Sequence, residues 1–251
     1  MRASLKTCCY RKSVMRPFRR PPAAELASHT LVSRMADCRN PYWPIVDLRV
    51  RTPRLELRIP DDDDLIVLAR LVESGIHSPD YMPFVVPWTD NRPPELGRKL
   101  MQLHWRARSR WSPRSWELHF VAVEGGEMVG AQDLEADDFG VLRTVAGGVW
   151  VGRSHQGRGL GREMREAVLH LAFAGLDARA ARATTFDDNE ASMAMFRKLG
   201  YTANGSDPAV RRGAPARCLR FQLDRAGWDR IRRDDIAVEG LEPCLALLGA
   251  T

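Results

Sequence analysis

A glycine-rich turn at residues 156–161, Gln-Gly-Arg-Gly-Leu-Gly, carries the clearest chemical signal in this sequence. It follows a short apolar stretch, residues 149–151, and opens into a segment whose apolar residues recur with helical spacing. The first N–H groups of a helix lack intrahelical partners, and the helix dipole favours an anion there. Glycines let the main chain approach a phosphate closely. The pattern therefore predicts a phosphate site, to which Arg158 and Arg162 add positive charge.

The spacing of the glycines excludes two common phosphate ligands. No Lys-Ser or Lys-Thr pair follows the last glycine, so the turn is not the P-loop of a nucleotide hydrolase. The glycines fall as G-x-G-x-G rather than as the G-x-G-x-x-G of dinucleotide-binding proteins. What remains is Gln156-x-x-Gly159-x-Gly161. On this motif alone, an ordinary glycine-rich turn stays an open alternative.

A second motif follows about thirty residues later. Residues 184–186 read as the end of a strand, and Asn189 then offers a helix-capping side chain. Ser192 falls in the first turn of the predicted helix, and Gly200 ends it as a glycine C-cap.

Together the two motifs resemble the acyl-CoA loop and the asparagine helix of the GCN5-related N-acetyltransferases (GNAT family). They are most similar to the branch that acetylates ribosomal-protein N-termini and to its actinobacterial relatives. The resemblance covers roughly residues 53–224. It implies an α/β fold with a mixed central sheet flanked by helices. The sheet is expected to be antiparallel in its N-terminal part and to hold a parallel pair around the CoA-binding helix.

The resemblance also implies an enzyme that transfers an acyl group from an acyl-CoA to an amine, without a metal ion. The expected reaction moves acetyl from acetyl-CoA to a primary amine: a protein N-terminus, a lysine or a small-molecule amine. Two alternatives stay open. The donor is succinyl-CoA or another acyl-CoA, or the chain is a non-catalytic acyl-CoA-binding module.

On the donor side, the family's main device is a splay between two strands, here those that end at Val151 and Phe186. Main-chain groups of Trp150 and Val151 are expected to bind the pantetheine amides and the thioester carbonyl. The full set of expected cofactor-binding residues is Trp150, Val151, Gln156, Gly157, Arg158, Gly159, Leu160, Gly161, Arg162, Asn189 and Ser192.

The catalytic residues are where the sequence departs from the family pattern. Ala146 stands where many relatives carry a glutamate as general base. Candidates for that role are His119, whose reference pKa is ~6.5, and the carboxylates Asp133 and Glu135. For each of the three, a solvated strand residue is an equally open interpretation. Proton transfer through a chain of water molecules is a further alternative.

The acid that protonates the leaving thiolate also departs from the pattern. Phe196 occupies the slot of the usual tyrosine, which leaves Ser192 as the candidate donor. A small residue packed beside the cofactor is the competing interpretation of Ser192.

The acceptor side is expected in residues 77–88, an irregular stretch with three prolines and several large apolar side chains. In the family this region lines the acceptor pocket, which makes Met82, Phe84 and Trp88 candidate substrate-binding residues. A loop that simply packs on the core is the alternative.

The elements that must position these residues follow from periodicity. Strands are predicted at 55–59, 143–151 and 217–223, and a hairpin at 116–135. Helices are predicted at 65–74, behind the acids of residues 61–64, and at 94–110 with Trp105 turned inward. The acyltransferase domain is placed at 50–224. A short helix at 225–233 and an apolar tail at 236–249 are expected to pack on it as the segment 225–251.

Residues 1–45 are interpreted as a disordered, transit-like or mis-assigned extension, with translation beginning at Met35. Residues 1–40 hold nine Lys and Arg and two acids, against 29 and 30 in the rest. The basic excess thus lies outside the predicted domain, which argues against a nucleic-acid partner. The five cysteines fit no zinc spacing and read as free thiols, and no apolar run suits a membrane span. A cytoplasmic monomer or homo-oligomer is expected.

Overall fold

The computed structural model describes residues 39–251, and the predictions that concern residues 1–38 lie outside this part. In chain order the strands are β1 (Arg49–Arg51), β2 (Leu55–Arg58), β3 (Ser115–Glu124), β4 (Glu127–Asp137), β5 (Thr144–Val145), β6 (Val149–Val151), β7 (Ala180–Phe186), β8 (Thr202–Arg211), β9 (Ala214–Asp224) and β10 (Ala237–Glu239). The α-helices are α1 (Asp62–Glu73), α2 (Glu95–Arg110), α3 (Phe139–Leu142), α4 (Leu160–His170), α5 (Glu190–Lys198) and α6 (Arg225–Asp229).

The strands form two sheets. The first has the order β10-β1-β2-β3-β4-β6, with every neighbouring pair antiparallel. The second has the order β5-β7-β9-β8, and within residues 39–251 its β5–β7 pair is the parallel one. The predicted α/β fold with a mixed sheet is confirmed.

The segment predicted as one strand over 143–151 is broken into β5 and β6. Gly147 lies in the break with φ +158°, and a Cβ there would stand 2.0 Å from the Asp133 carbonyl oxygen. Beyond the break, the chain leaves the second sheet and pairs with β4 in the first. A single bent segment therefore joins the two sheets, and the sheets separate beside it.

Both faces of the first sheet are covered by helices. Leu65, Leu68 and Val72 of α1 and Leu96 and Leu100 of α2 are buried against one face. A larger cluster on the other face contains the apolar side of α4, with Met164 and Val168 fully buried. This cluster continues into the second sheet and α5.

Helix α2 corrects one predicted orientation. Trp105 is 43 % exposed and its indole N–H donates to Asp62, whereas the neighbouring His104 is buried. The helix turns by about 100° per residue, so only one of two adjacent residues can point fully inward. His104 is the residue that points inward, although tryptophan is the more apolar of the two.

The C-terminal residues belong to the first sheet. Strand β10 pairs with β1, and neither strand was predicted because both are only three residues long. The indole N–H groups of Trp111 and Trp116 donate to the carbonyls of Leu247 and Leu248. Residues 237–248 thus complete a sheet edge and cover Trp111, which follows α2, and Trp116 of β3.

The cysteines and the lengths of the helices bear on the class of protein. Cys218 and Cys244 are buried. Among the helices of residues 39–251, none is both long and apolar enough to cross a membrane.

Candidate active site

A groove opens where β6 separates from β7. Within the second sheet, the last parallel pair of β5 and β7 is Val145 opposite Ala181, and β6 then pairs with β4 in the first sheet. On β6, Gly148 accepts a hydrogen bond from the Asp133 N–H at 2.8 Å, and the Gly152 N–H donates to Val129 at 2.9 Å. Alternate residues of an antiparallel strand direct their main-chain groups to opposite edges. The groups of residues 149 and 151 therefore point into the groove.

This alternation corrects the prediction for Trp150. Trp150 lies opposite Ala131, and its main-chain groups point toward β4 rather than into the groove. Val149 takes that place beside Val151. The apolar stretch 149–151 alone could not show which residues pair, because the register depends on β4.

The glycine-rich turn forms an open cradle at the start of α4. Gly157 and Gly159 have φ of +76° and +80°, which glycine adopts without strain. A Cβ on Gly157 would meet nothing within 4 Å, and one on Gly159 only an Arg54 nitrogen at 3.9 Å. Gly159 is the N-cap of α4, and no side chain caps the helix. Unpartnered N–H groups and open space fit a pyrophosphate.

Gln156 holds this cradle in place. Its Nε2 donates to the carbonyl of Ile76 at 2.7 Å and to that of Val151 at 2.8 Å. The amide therefore ties the turn to both β6 and the loop after α1. Leu160 is buried beneath the turn. A Cβ on Gly161 would stand 3.4 Å from a Val151 methyl group, so the third glycine permits close packing of α4 on β6.

The cations around the cradle are arranged through ion pairs. Arg158 pairs with Glu124 at 2.7 Å, and Arg162 pairs with Glu166 at 2.8 Å. Arg54, which the sequence did not single out, pairs with the buried Glu163 and donates to the Arg158 carbonyl. Arg54 lies about a hundred residues before the turn, so only the tertiary structure brings its charge to the cradle.

On the other side of the groove, Asn189 caps α5. Its Oδ1 accepts a hydrogen bond from the Ser192 N–H at 3.1 Å, as the capping prediction requires. Ser192 is half-buried, and its hydroxyl has no hydrogen-bond partner within residues 39–251. Phe196, one turn further along, is buried in the core. The Ser192 hydroxyl is thus free to donate to a ligand.

The candidate bases of β3 and β4 meet on the face covered by α1 and α2. His119 and Asp133 are cross-strand neighbours, with Nδ1 2.8 Å from an Asp133 oxygen. Nε2 of His119 lies 3.1 Å from a Glu117 oxygen. The buried ring of His104 packs on His119, with the centroids 5.0 Å apart.

The charges in this cluster decide what His119 can do. Burial disfavours its charged form, but Asp133 and Glu117 outweigh that effect and raise the pKa of His119 to about 10. Burial, and then the charge of His119, lower the pKa of His104 to about 3. At neutral pH His119 is therefore an imidazolium with both N–H groups engaged. It cannot act as the predicted general base, and instead it holds Asp133 in position.

Two carboxylates lie where the family's glutamate is missing. Glu135 exchanges main-chain hydrogen bonds with Ala146, both at 2.9 Å, which places it beside that position. An Asp133 oxygen lies 3.6 Å from where a Gly148 Cβ would be. Desolvation, followed by repulsion from Asp133 and Glu117, raises the pKa of the Glu135 carboxyl. The raised pKa makes Glu135 a candidate proton acceptor at this position.

The His119 cluster predicts a stability that falls with rising pH. The folded-state pKa of about 10 lies above the ordinary 6.5. The stabilisation is therefore complete below pH 6.5 and is lost as the pH rises through about 10. The expected loss is on the order of a few kcal/mol. Denaturant titrations from pH 6 to 10 measure it. A His119→Gln variant should lose most of this slope, and an unchanged slope would contradict the assignment.

The candidate acceptor residues form an aromatic path to β6. The Phe84 and Trp88 rings are 5.3 Å apart, and Trp88 lies 6.2 Å from Trp150. Met82 is 2 % exposed, and its sulfur accepts a hydrogen bond from Thr89. Phe84 and Trp88 are half-buried and stay candidate acceptor residues, whereas Met82 is buried.

An open anion cradle at a helix start, beside a strand whose Val149 main-chain groups and Val151 N–H face away from β4, suits an extended phosphorylated ligand. Residues 54–202, more than half of the chain, match the sequence model of the acetyltransferase (GNAT) domain. The chain therefore belongs to the GNAT family of acetyltransferases. As an enzyme of this family, it uses an acyl-CoA as co-substrate.

Solved structures of similar fold agree with this assignment. Mycobacterium smegmatis RimJ in complex with CoA-disulfide is 19 % identical, with a TM-score of 0.59 over 81 % of this chain and 95 % of that chain. A putative ribosomal-protein-serine acetyltransferase from Vibrio cholerae is 18 % identical, with a TM-score of 0.54 over 70 % and 97 %. Mutant forms of the Vibrio cholerae spermidine/spermine N-acetyltransferase SpeG are 16 % identical, with a TM-score of 0.54 over 71 % and 98 %. At these identities the likeness concerns the fold.

Proposed function

We propose that this enzyme transfers an acetyl group from acetyl-CoA to a primary amine. The observation that supports this most is the continuity of the groove. The open cradle of Gly157 and Gly159 follows β6 in the chain, and Asp133 and Glu135 lie beside Gly148 and Ala146 at the other end of β6. The order is therefore the phosphate site, the main-chain hydrogen-bonding groups and the candidate proton acceptor. The CoA phosphates, the thioester and the amine would lie in the same order.

On the donor side, the N–H groups at the start of α4 would hold the pyrophosphate. The main-chain groups of Val149 and Val151 would hold the pantetheine arm, as an added strand does at a sheet edge. These contacts fix the thioester beside the acceptor amine. Positioning of two reactants alone contributes a large part of the acceleration in such reactions.

On the acceptor side, Asp133 would bind the incoming ammonium, and His119 would keep this carboxylate oriented. Glu135 would take a proton from the ammonium, directly or through water. The free amine then attacks the thioester carbonyl carbon, and the C–S bond breaks. The proton that the nitrogen loses as the amide forms would pass to the departing sulfur through the Ser192 hydroxyl, which takes up one proton as it gives the other. These roles are proposed because Asp133 and Glu135 lie beside Gly148 and Ala146, and because the Ser192 hydroxyl has no hydrogen-bond partner within residues 39–251.

Ser192→Ala should lower kcat and kcat/KM together, by up to ~10²-fold. Charge builds on sulfur only in the transition state, so coenzyme A affinity should stay unchanged. Steady-state kinetics beside a thermal melt measure both effects. Ser109→Ala, an exposed helical serine on α2, is the matched control. A fully active and slightly stabilised Ser192→Ala enzyme would mean that Ser192 only packs.

The proposed reaction is tested with an amine panel: a peptide with a free N-terminus, the same peptide blocked at its N-terminus but carrying a lysine, and a polyamine. Coenzyme A release and the mass of the product are both followed. The expected result is a mass increase of one acetyl group on at least one amine. Tight CoA binding without an acylated product on any of them would point to a non-catalytic module.

A further inference from the structure

The tip of the hairpin between β8 and β9 contacts residues 77–90, the segment of the candidate acceptor residues, which we call the acceptor loop. Arg212 and Gly213 form the two-residue turn of this hairpin, with φ of +51° and +83°. Two residues with positive φ give the turn whose twist suits a hairpin, although such a φ is uncommon for arginine. The turn directs the side chains of Arg211 and Arg212 to two different parts of the acceptor loop.

Arg212 contacts both ends of the acceptor loop. Its Nη1 donates to the Pro79 carbonyl at 2.8 Å, and its Nε donates to the Asp90 carboxylate at 3.0 Å. Phe84 and Trp88, the half-buried candidate acceptor residues, lie between these two points in the chain. A single guanidinium therefore links the beginning and the end of the segment that carries them.

Arg211 joins the same loop to the turn that follows β7. Its Nη1 and Nη2 donate to the two oxygens of Asp188 at 2.8 and 2.7 Å, and the Tyr81 hydroxyl donates to Asp188 at 3.1 Å. The Arg211 guanidinium carbon lies 4.6 Å from the ring centroid of Phe186 and 5.5 Å from that of Tyr81. Arginine can pair with a carboxylate through two bonds and stack on aromatic rings, whereas lysine cannot reproduce this geometry.

Asp188 connects this network to the predicted leaving-group donor. It directly precedes Asn189, which caps α5 through the Ser192 N–H. Hydrogen bonding to Arg211 lowers the pKa of Asp188, while burial, and then the charge of Asp188, raise the pKa of Tyr81 to about 12. At neutral pH the carboxylate is therefore charged and the phenol is a donor, so all three groups are in the state that forms these bonds.

We propose that Arg211 and Arg212 are positioning residues for the acceptor amine. Together they hold the acceptor loop against the turn before α5, so that the loop presents the amine at a fixed distance from the thioester. They act through Tyr81, Asp90 and the main chain of the loop. A single exposed ion pair contributes little, but these two arginines are adjacent and their contacts converge on one loop. This inference rests on the proposed function and names the residues that place its acceptor.

Hydrogen–deuterium exchange of the full-length protein, without any substrate, tests the contacts. Arg211→Gln and Arg212→Gln should each raise the exchange rates of amides in the acceptor loop about tenfold, because each change removes charged hydrogen bonds that oppose local opening. Arg220→Gln is the matched control, since Arg220 lies on β9 of the same hairpin and pairs with Asp207 of β8. It should leave the exchange of the acceptor loop unchanged. Wild-type exchange of this loop in both arginine variants would overturn the inference.

Steady-state kinetics with the amine that the panel identifies test the consequence. In Arg211→Gln, the KM for the amine should rise about tenfold, while kcat stays within about twofold and the affinity for acyl-CoA is unchanged. Arg211→Lys keeps the charge but not the paired geometry, so it should recover only part of the wild-type KM. Arg220→Gln should keep all wild-type constants. A lower melting temperature with an unchanged amine KM would mean that Arg211 is merely structural.

The two measurements separate this inference from the proposed function. The exchange measurement needs no acceptor, so it decides whether the arginines hold the loop even if no amine is acylated, and that failure would concern the proposed reaction only. Acylation with a wild-type amine KM in both arginine variants would leave the reaction intact and remove the positioning role.

Discussion

Gly159→Glu should abolish coenzyme A binding. A side chain at this position would enter the open space in front of the first turn of α4, where the pyrophosphate is expected. Its carboxylate would also repel the phosphates and compete for the same N–H groups, because an anion near a helix N-terminus is itself stabilised there. Calorimetry should detect no binding at concentrations that saturate the wild-type protein.

A matched control separates this effect from backbone strain. Gly213, in the turn between β8 and β9, has φ +83° against +80° at Gly159, and a Cβ there would meet nothing within 4 Å. Gly213→Glu therefore imposes the same left-handed conformation and the same charge away from the groove. It should lose similar stability and keep coenzyme A affinity. Near-normal affinity in Gly159→Glu would place the cofactor elsewhere.

Glu135→Gln should lower kcat/KM by ~10²- to 10⁴-fold, the range for loss of a general base. The amide keeps the shape of the side chain but cannot accept the proton. Because the pKa of Glu135 is raised above its ordinary 4.5, wild-type kcat/KM should fall as the pH drops through this raised value. The Gln variant should lose that acidic limb. A pH–rate profile from pH 4.5 to 8 with saturating acyl-CoA measures both.

Two companion variants assign the neighbouring carboxylates. Asp133→Asn should act mainly on the KM for the amine, because its carboxylate is proposed to bind the ammonium. Glu127→Gln, at an exposed position on the same strand, should leave both constants unchanged. If Glu135→Gln keeps the wild-type profile and Asp133→Asn loses the acidic limb, the two roles are exchanged.

Local sequence was sufficient for the elements whose signals are short-range. The glycine spacing predicts the turn at 157–161, because φ near +80° at residues 157 and 159 is a property of the backbone itself. The cap of Asn189 on α5 and the capping box of Asp61 and Asp64 on α1 involve residues three positions apart. Helix periodicity and the β3–β4 hairpin are equally local.

The short edge strands and the inward-pointing side chains could not be predicted from local sequence, because both depend on contacts with distant parts of the chain. Strands β1 and β10 are recognisable only because they pair across nearly two hundred residues. Strand β8 contains Gly205 and Pro208, which mask any alternating pattern, and it exists through its pairing with β9. On α2, the choice between His104 and Trp105 for the inward position was made by contact with β3.

The sequence by itself was sufficient for the family and for the glycine-rich turn, and it named the candidate carboxylates, because glycine spacing and helix caps act within a few residues. The protonation states and orientations of the groups at the site followed only from the tertiary structure. It turned His119 from a candidate base into an imidazolium, because Asp133 and Glu117 enclose it. It directed the main-chain groups of Val149 rather than those of Trp150 away from β4, and it buried the Nε of Arg165 and the Tyr201 hydroxyl without a hydrogen-bond partner among residues 39–251. Charge, desolvation and strand register depend on neighbours that are distant in sequence, and these interactions set the protonation states and exposed donors of the site.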